Sequence, residues 1–179
     1  MSAQTPIKII GISGKQFAGK DLLAEVLTDQ LPGFKKLPLA LAIKEAYAAQ
    51  NDLTLAEIEA NKPQHRPGLI AMGDWGRAQD PFYWLKIVMA DPEPKIISDV
   101  RLQREHDFLR ENGAFLIRLN TDRDVRKQRG KLVSENDPTE NELDNITDWD
   151  AVLTNNSTPQ ELKMQVAKML IQTGLLKRL

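Results

Sequence analysis

Apolar positions in this chain follow two rhythms. Short unbroken runs occur at 7–13 (IKIIGIS), 95–100 (KIISDV), 114–120 (AFLIRLN) and 151–156 (AVLTNN), with a briefer one over 34–39. Between them, apolar residues recur at three- and four-residue steps. Leu22, Leu23, Val26, Leu27 and Leu31 make one such stripe, and Phe82, Trp84, Leu85, Val88 and Met89 another. The spacing predicts helices over 20–31, 40–50, 54–60, 65–80, from Pro81 onward, over 101–112, and from Pro159 to about Leu176, with Lys62-Pro63 as the joint between the third and fourth. Pro32-Gly33, the DPEPK stretch at 91–95 and Gly113 supply the punctuation. Strands that read as buried on both faces, alternating with helices, predict an α/β protein with a five-stranded parallel sheet and helices on both faces, in three layers. No internal repeat or second domain is evident, so residues 1–179 are expected to form one domain. It would carry a helical middle at about 40–90 and a lid at about 121–148. Within the latter, 127–148 is charged and without apolar period, the pattern of a mobile insertion.

Composition narrows the function classes. Hydrophobic residues at 41% and charged residues at 27% are ordinary for a soluble globule. The net charge of -1 removes the long-range attraction expected of a binder of nucleic acid polymers or anionic membranes. No cysteine is present, and the two histidines, His65 and His106, stand alone, so neither a disulfide framework nor a Cys/His metal cluster is expected. The N-terminal residues lack a signal-peptide pattern, which predicts a cytoplasmic protein. A monomer or weak dimer is expected.

The chemistry begins where the first strand ends. Gly14-Lys15-Gln16-Phe17-Ala18-Gly19-Lys20 meets the pattern G-x-x-x-x-G-K between a strand and a helix, the context a phosphate-cradling P-loop requires. Glycines let backbone N–H groups turn onto phosphates, the helix N-terminus adds partial positive charge, and Lys20 can neutralise charge developing between phosphates. Gly14 to Leu22 are therefore expected to hold a nucleoside triphosphate, ATP with Mg²⁺. No guanine-reading Asn/Thr-Lys-x-Asp motif is present, which favours adenine. Asp21 stands where Ser or Thr usually meets Mg²⁺, and a carboxylate can replace it directly or through water; capping of the helix is its other use.

Asp99 falls at the end of a buried strand, on the sheet edge where open α/β folds bind ligands, and Arg101 follows it. Asp99 could instead cap the following helix. Arg118 lies inside a strand, an odd place for a charge unless it faces a polar cleft. Arg123, Arg126 and Arg129 recur every third residue and could close over phosphates from one helix face, or simply be solvated.

Taken together, GKQFAGKD, IKEAYAAQ, MGDWGRAQDP, IISDVR and the run from Arg118 through RKQRG to ELDN resemble the P-loop kinases of the nucleoside monophosphate kinase type. The resemblance is greatest to the animal-type phosphomevalonate kinases and the phage deoxynucleoside monophosphate kinases, and it extends over nearly the whole chain. It implies the P-loop NTPase fold with strand one central and an acceptor under the helices of 40–90. It further implies Lys15, Lys20 and Asp21 on phosphates and Mg²⁺, and Asp99 and Arg101 beside the acceptor phosphate. Lys62, Arg66 and Arg77 would serve the acceptor side, Arg126 and Arg129 the lid, and Arg118 its base. Lys20, Asp99, Arg101, Arg126 and Arg129 are thus the expected catalytic set, with Asp21 the metal-side residue. The chain departs from the phosphomevalonate kinases at Gln16, Phe17, Ala71 and Leu102, where they carry basic residues. The resemblance implies transfer of phosphate from ATP to a small phosphorylated metabolite. The acceptor would be phosphomevalonate-like or, alternatively, a (deoxy)nucleoside monophosphate; a non-catalytic ATP-binding regulator is a third possibility. Trp75, Phe82, Tyr83 and Trp84 offer either stacking surface for a base or core packing.

Overall fold

The computed structural model describes residues 6–175. Five parallel strands form one sheet: β1 (Ile9–Ser13), β2 (Lys35–Lys36), β3 (Lys95–Val100), β4 (Phe115–Asn120) and β5 (Ala151–Thr154), in the order β2-β3-β1-β4-β5. All five predicted strands are present and β1 is central, as expected. The second is shorter than 34–39 because Pro38 has no N–H to give the ladder and caps a helix that begins at Leu39. The chain divides into two compact units, one of residues up to Lys36 and from Glu93 onward, the other Leu37–Pro92.

In the first unit the pleat of β1 sorts the core. Ile10 and Ile12 join Leu23, Leu27, Val166 and Leu170, from helices α1 (Lys20–Gln30) and α9 (Pro159–Gln172). Gly11 faces the opposite way: a Cβ there would lie 2.6 Å from Leu116 and 3.3 Å from Leu109 of helix α6 (Gln103–Glu111). Helices therefore cover both faces, as the alternating pattern predicts. Each fully buried Leu or Ile contributes roughly 1.5–3 kcal/mol of transfer free energy, which makes this face the mainstay of the unit. The C-terminal helix stops at Gln172, and Leu176 lies outside the described residues.

The second unit is helical: α2 (Leu39–Gln50), α3 (Leu55–Ala60), α4 (Lys62–Gln79) and α5 (Tyr83–Ala90). Lys62-Pro63 is not a joint but the first turn of α4, because a proline at the start of a helix forfeits only an N–H with no partner there. Similarly, Pro81 lies in the turn before α5, closed by Tyr83 N–H to the Asp80 carbonyl at 2.9 Å. Glycines let α4 approach its neighbours. Trp84 Nε1 donates to the Gly73 carbonyl at 3.0 Å, and a Cβ on Gly76 would lie 2.5 Å from the Trp84 ring. Trp84 is buried, so core packing accounts for it, whereas Trp75 is 51% exposed.

Candidate functional site

The loop between β1 and α1 has two residues in the left-handed region, Phe17 (φ 57°) and Gly19 (φ 98°). Such alternation turns successive peptide groups inward to form an anion-binding concavity. Gly19 is the N-cap of α1 and supplies no side-chain bond, so the first turn of an eleven-residue helix has no side-chain cap over its N–H groups. A larger residue at 19 would be strained at this φ and would displace Asn155, since a Cβ would lie 2.2 Å from its Nδ2. Lys20 folds inward, its Nζ 2.6 Å from the Gly14 carbonyl and 2.9 Å from that of Lys15. Burial, followed by the nearby Arg101 guanidinium, lowers its pKa to about 8, while Glu140, Asp21 and Asp99 act in the opposite direction. A cation held partly desolvated against another cation is set to gain from an arriving polyanion.

The outer side of the loop is fastened at two places. Helix α7 (Arg123–Arg129) provides Arg126, whose Nη1 reaches the Gln16 carbonyl at 3.3 Å, and Arg129, whose Nη1 reaches the Phe17 and Ala18 carbonyls at 3.3 and 3.2 Å. Asn155 Nδ2 and Thr121 Oγ1 also donate to the Ala18 carbonyl, at 2.8 and 3.0 Å. Arg123 departs from its expected alignment with these arginines and pairs with Glu135 at 2.6 Å on the exposed side. Helical geometry explains the parting: three residues fall about 60° short of a turn, so two such steps rotate a side chain by about 120°.

The second fastening comes from the charged segment whose lack of apolar period predicts a mobile insertion. It contains a short helix, α8 (Pro138–Asn141), begun by Asp137, whose carboxylate accepts from Thr139 N–H at 2.9 Å. The Gln16 side chain and the Val133 backbone exchange two bonds, Nε2 to the carbonyl at 2.7 Å and N–H to Oε1 at 3.2 Å. Lys15 Nζ lies 2.6 Å from Asp144 and 3.1 Å from Asn141 Oδ1, so this lysine is committed to the segment. Phe17 packs over Gly130, where a Cβ would sit 2.3 Å from the ring. Gln16 and Phe17, the two loop positions among the departures from the basic pattern, thus dock the loop on residues 130–133.

Asp99 and Arg101 emerge beside β1 on the β3 side. Asp99 is half-buried, one residue before the end of β3, and close enough to Lys20 to act on its charge. Arg101 N–H donates to Glu105 at 2.9 Å, and its guanidinium pairs with Glu140 at 2.9 Å. Glu105 is pushed above its ordinary pKa by burial, against the bonds it accepts from Arg101 and Leu102 N–H. Arg118 sits across β1 on β4, in register with Ser13; it donates to Ser13 Oγ at 2.9 Å and pairs with Asp144 at 2.8 Å. It helps line a cavity of about 580 Å³ with Lys15, Thr121, Arg126 and Trp149. Lys20, Asp99 and Arg101 are therefore brought together, while Arg118 shares Asp144 with the loop residue Lys15.

The Asp21 side chain is 81% exposed and pairs with Lys36 at 2.6 Å. Among the described residues no group of three His, Cys, Asp or Glu could hold a metal by itself. Single hard carboxylates, Asp21 and Asp99, fit an Mg²⁺ that takes its other ligands from phosphate and water. In the second unit Lys62, Arg66 and Arg77 fall on one face of α4; Lys62 is 3.6 Å from Glu59 and Arg77 2.8 Å from Asp74. Sequence reasoning missed Glu140, Asn155 and Asp144. Two asparagines just past β5, at the ligand edge of the sheet, were a usable signal for Asn155. No helix among the described residues is long and apolar enough to cross a membrane.

Comparison with known proteins bears on this arrangement. The family model for phosphomevalonate kinase matches residues 12–115. A phosphomevalonate kinase of Drosophila melanogaster is 28% identical over 184 aligned positions, covering 92% of this chain and 95% of that one. A protein of Acanthamoeba polyphaga mimivirus named "Putative deoxynucleotide monophosphate kinase" is 27% identical over 187 positions, covering 88% and 93%. Among solved structures, shikimate kinase from Aquifex aeolicus superposes with a TM-score of 0.57 at 16% identity, covering 93% and 98% of the two chains. A gluconokinase from Sinorhizobium meliloti gives 0.53 at 15%, covering 94% of each. These structures establish the P-loop NTPase fold.

Proposed function

The chain belongs to the phosphomevalonate kinase family and is a P-loop kinase, and on that premise we propose that it transfers the γ-phosphoryl group of ATP to the phosphate of a small phosphomonoester, giving a diphosphate. The observation that carries the proposal is the uncapped N-terminus of α1 with Lys20 buried beside Arg101. The loop N–H groups and Lys20 would hold the β- and γ-phosphates. Arg101 would meet the acceptor phosphate; in the helical unit, Lys62, Arg66 and Arg77 are the cations offered to an acceptor. Arg126 and Arg129, which now hold the loop carbonyls, would keep the cradle in shape. Asp21 and Asp99 would hold Mg²⁺, which supplies charge neutralisation across the phosphates when bound. No covalent intermediate is needed, because positioning and electrostatic stabilisation suffice for this chemistry.

The family match favours a phosphomevalonate-like acceptor. A deoxynucleoside monophosphate is the second reading, supported by the mimivirus relative and by Trp75, which offers an exposed ring set edge-on to Tyr83 at 5.4 Å. A coupled ADP-release assay with Mg²⁺-ATP over phosphomevalonate, nucleoside and deoxynucleoside monophosphates and dephospho-coenzyme A separates them. Turnover with phosphomevalonate is expected; faster turnover with a nucleotide selects the second reading. Silence with every acceptor, from folded protein, overturns both and leaves an ATP-binding regulator.

A further inference from the structure

Glu140 is the acidic side chain most deeply placed at the loop: 3% of it is exposed, yet it belongs to a four-residue helix in a charged segment. Burying a carboxylate costs several kcal/mol unless both oxygens find partners. Here each does. Oε2 accepts from the Gln16 N–H at 2.9 Å, and Oε1 meets Arg101 Nη1 at 2.9 Å. One group thereby spans the loop and the end of β3, elements that flank the same phosphate region from different parts of the chain.

We infer that Glu140 is a positioning residue, whose single carboxylate fixes the Gln16 N–H and the Arg101 guanidinium relative to each other. Arg101 is long and 35% exposed at its side chain, so without an anionic partner it would sample many rotamers, and Lys20 would repel it. A carboxylate offers two acceptors for two donors. A glutamine offers one acceptor and turns an NH₂ toward the other donor, so the nearly isosteric change breaks the bridge while filling the same space. Aspartate keeps the charge but shortens the reach. The inference deepens the kinase proposal above and rests on it for the part played by Arg101 toward the acceptor.

Two measurements on the full chain test it. In ¹⁵N-labelled protein, Arg101→Ala is expected to shift the Gln16 amide resonance through Glu140, and to shift it no further once Glu140→Gln is present. A Gln16 amide indifferent to both changes overturns the inference, whatever the protein phosphorylates. In the kinetic assay at pH 6.5, below the Lys20 transition, Glu140→Gln is expected to lower kcat on the order of tenfold or more, with KM for ATP changed less than about threefold, and Glu140→Asp to recover part of the loss. The double variant should be no slower than Arg101→Ala alone, because one bridge has been cut twice. Losses that multiply overturn the inference. If no acceptor is turned over, the kinase proposal falls and the resonance experiment alone decides this one. Thermal denaturation of each variant excludes simple unfolding as the cause.

Discussion

Residues 14–21 and residues 133–144 meet in one site by opposite means. The first make a cradle from their own backbone: left-handed φ at Phe17 and Gly19, a helix begun without a side-chain cap, and a lysine folded over the loop carbonyls. The second have almost no apolar residues and little regular structure, and they bring side chains to the first: Glu140 to the Gln16 N–H, Asn141 and Asp144 to Lys15, and the Val133 backbone to the Gln16 amide. A loop that turns its donors toward a ligand must have its outer surface satisfied by something else. An acidic segment placed against the loop does this for the cation and the outward N–H, and α7 does it for the carbonyls. Absence of hydrophobic period thus does not separate a solvated linker from a polar brace, since both lack a buried apolar stripe.

The largest test of this contrast acts on the loop. Lys20→Ala is expected to reduce kcat by roughly 10²–10³, the cost of losing a preorganised charge at the transferring group, while the far-UV circular dichroism stays unchanged. Retained turnover would remove the loop from the chemistry and leave only its architecture in common with the braced segment.

A smaller effect separates loop from brace by pH. With the free Lys20 pKa near 8, triphosphate binding favours its charged form, so affinity for ATP is highest below pH 8 and declines as pH rises through that value, by up to about tenfold per unit. Calorimetric titration between pH 6.5 and 9.5 checks it. Glu140→Gln removes the largest influence raising that pKa, so the decline should begin at lower pH. An unchanged profile would show that segment and loop do not share charge.

The smallest effect lies at the outer rim. Arg123 and Glu135 form an exposed pair, each holding the other's charge: Arg123 is raised and Glu135 lowered from their ordinary pKa, chiefly by their mutual hydrogen bond. Exposed pairs contribute little. Arg123→Ala should leave turnover and the denaturation midpoint unchanged within error, while Arg129→Ala, which takes a donor from the Phe17, Ala18 and Asn155 carbonyls, should raise KM for ATP. Equal effects from the two substitutions would dissolve the distinction between rim and brace.

Much of the fold could be read along the chain. Five apolar runs of strand length, each followed by a helical stripe or a turn, are local signals, and G-x-x-x-x-G-K between strand and helix carries its own geometry through the φ angles that glycine permits. Lys20, Asp99 and Arg101 were placed together because the ends of parallel strands share one edge of the sheet. Less legible were the partners of two of the expected residues: Arg118 pairs with Ser13 and Asp144, and the Asp21 carboxylate turns to Lys36. Neither pairing leaves a mark in local sequence, because the partners lie far apart in the chain or on the far side of a turn.

Glu140 shows where the boundary falls. The run Asp137-Pro138-Thr139-Glu140 is by itself a helix start, with a capping aspartate, a proline at the first helical position and a glutamate three residues after the cap, where it would ordinarily reach back to the cap N–H. The sequence determined that a helix begins there, since capping involves only neighbours along the backbone. That the glutamate turns instead to Gln16 and Arg101 was decided by the tertiary structure, because only folding brings a second N–H and a guanidinium to a carboxylate 124 and 39 residues away in the chain.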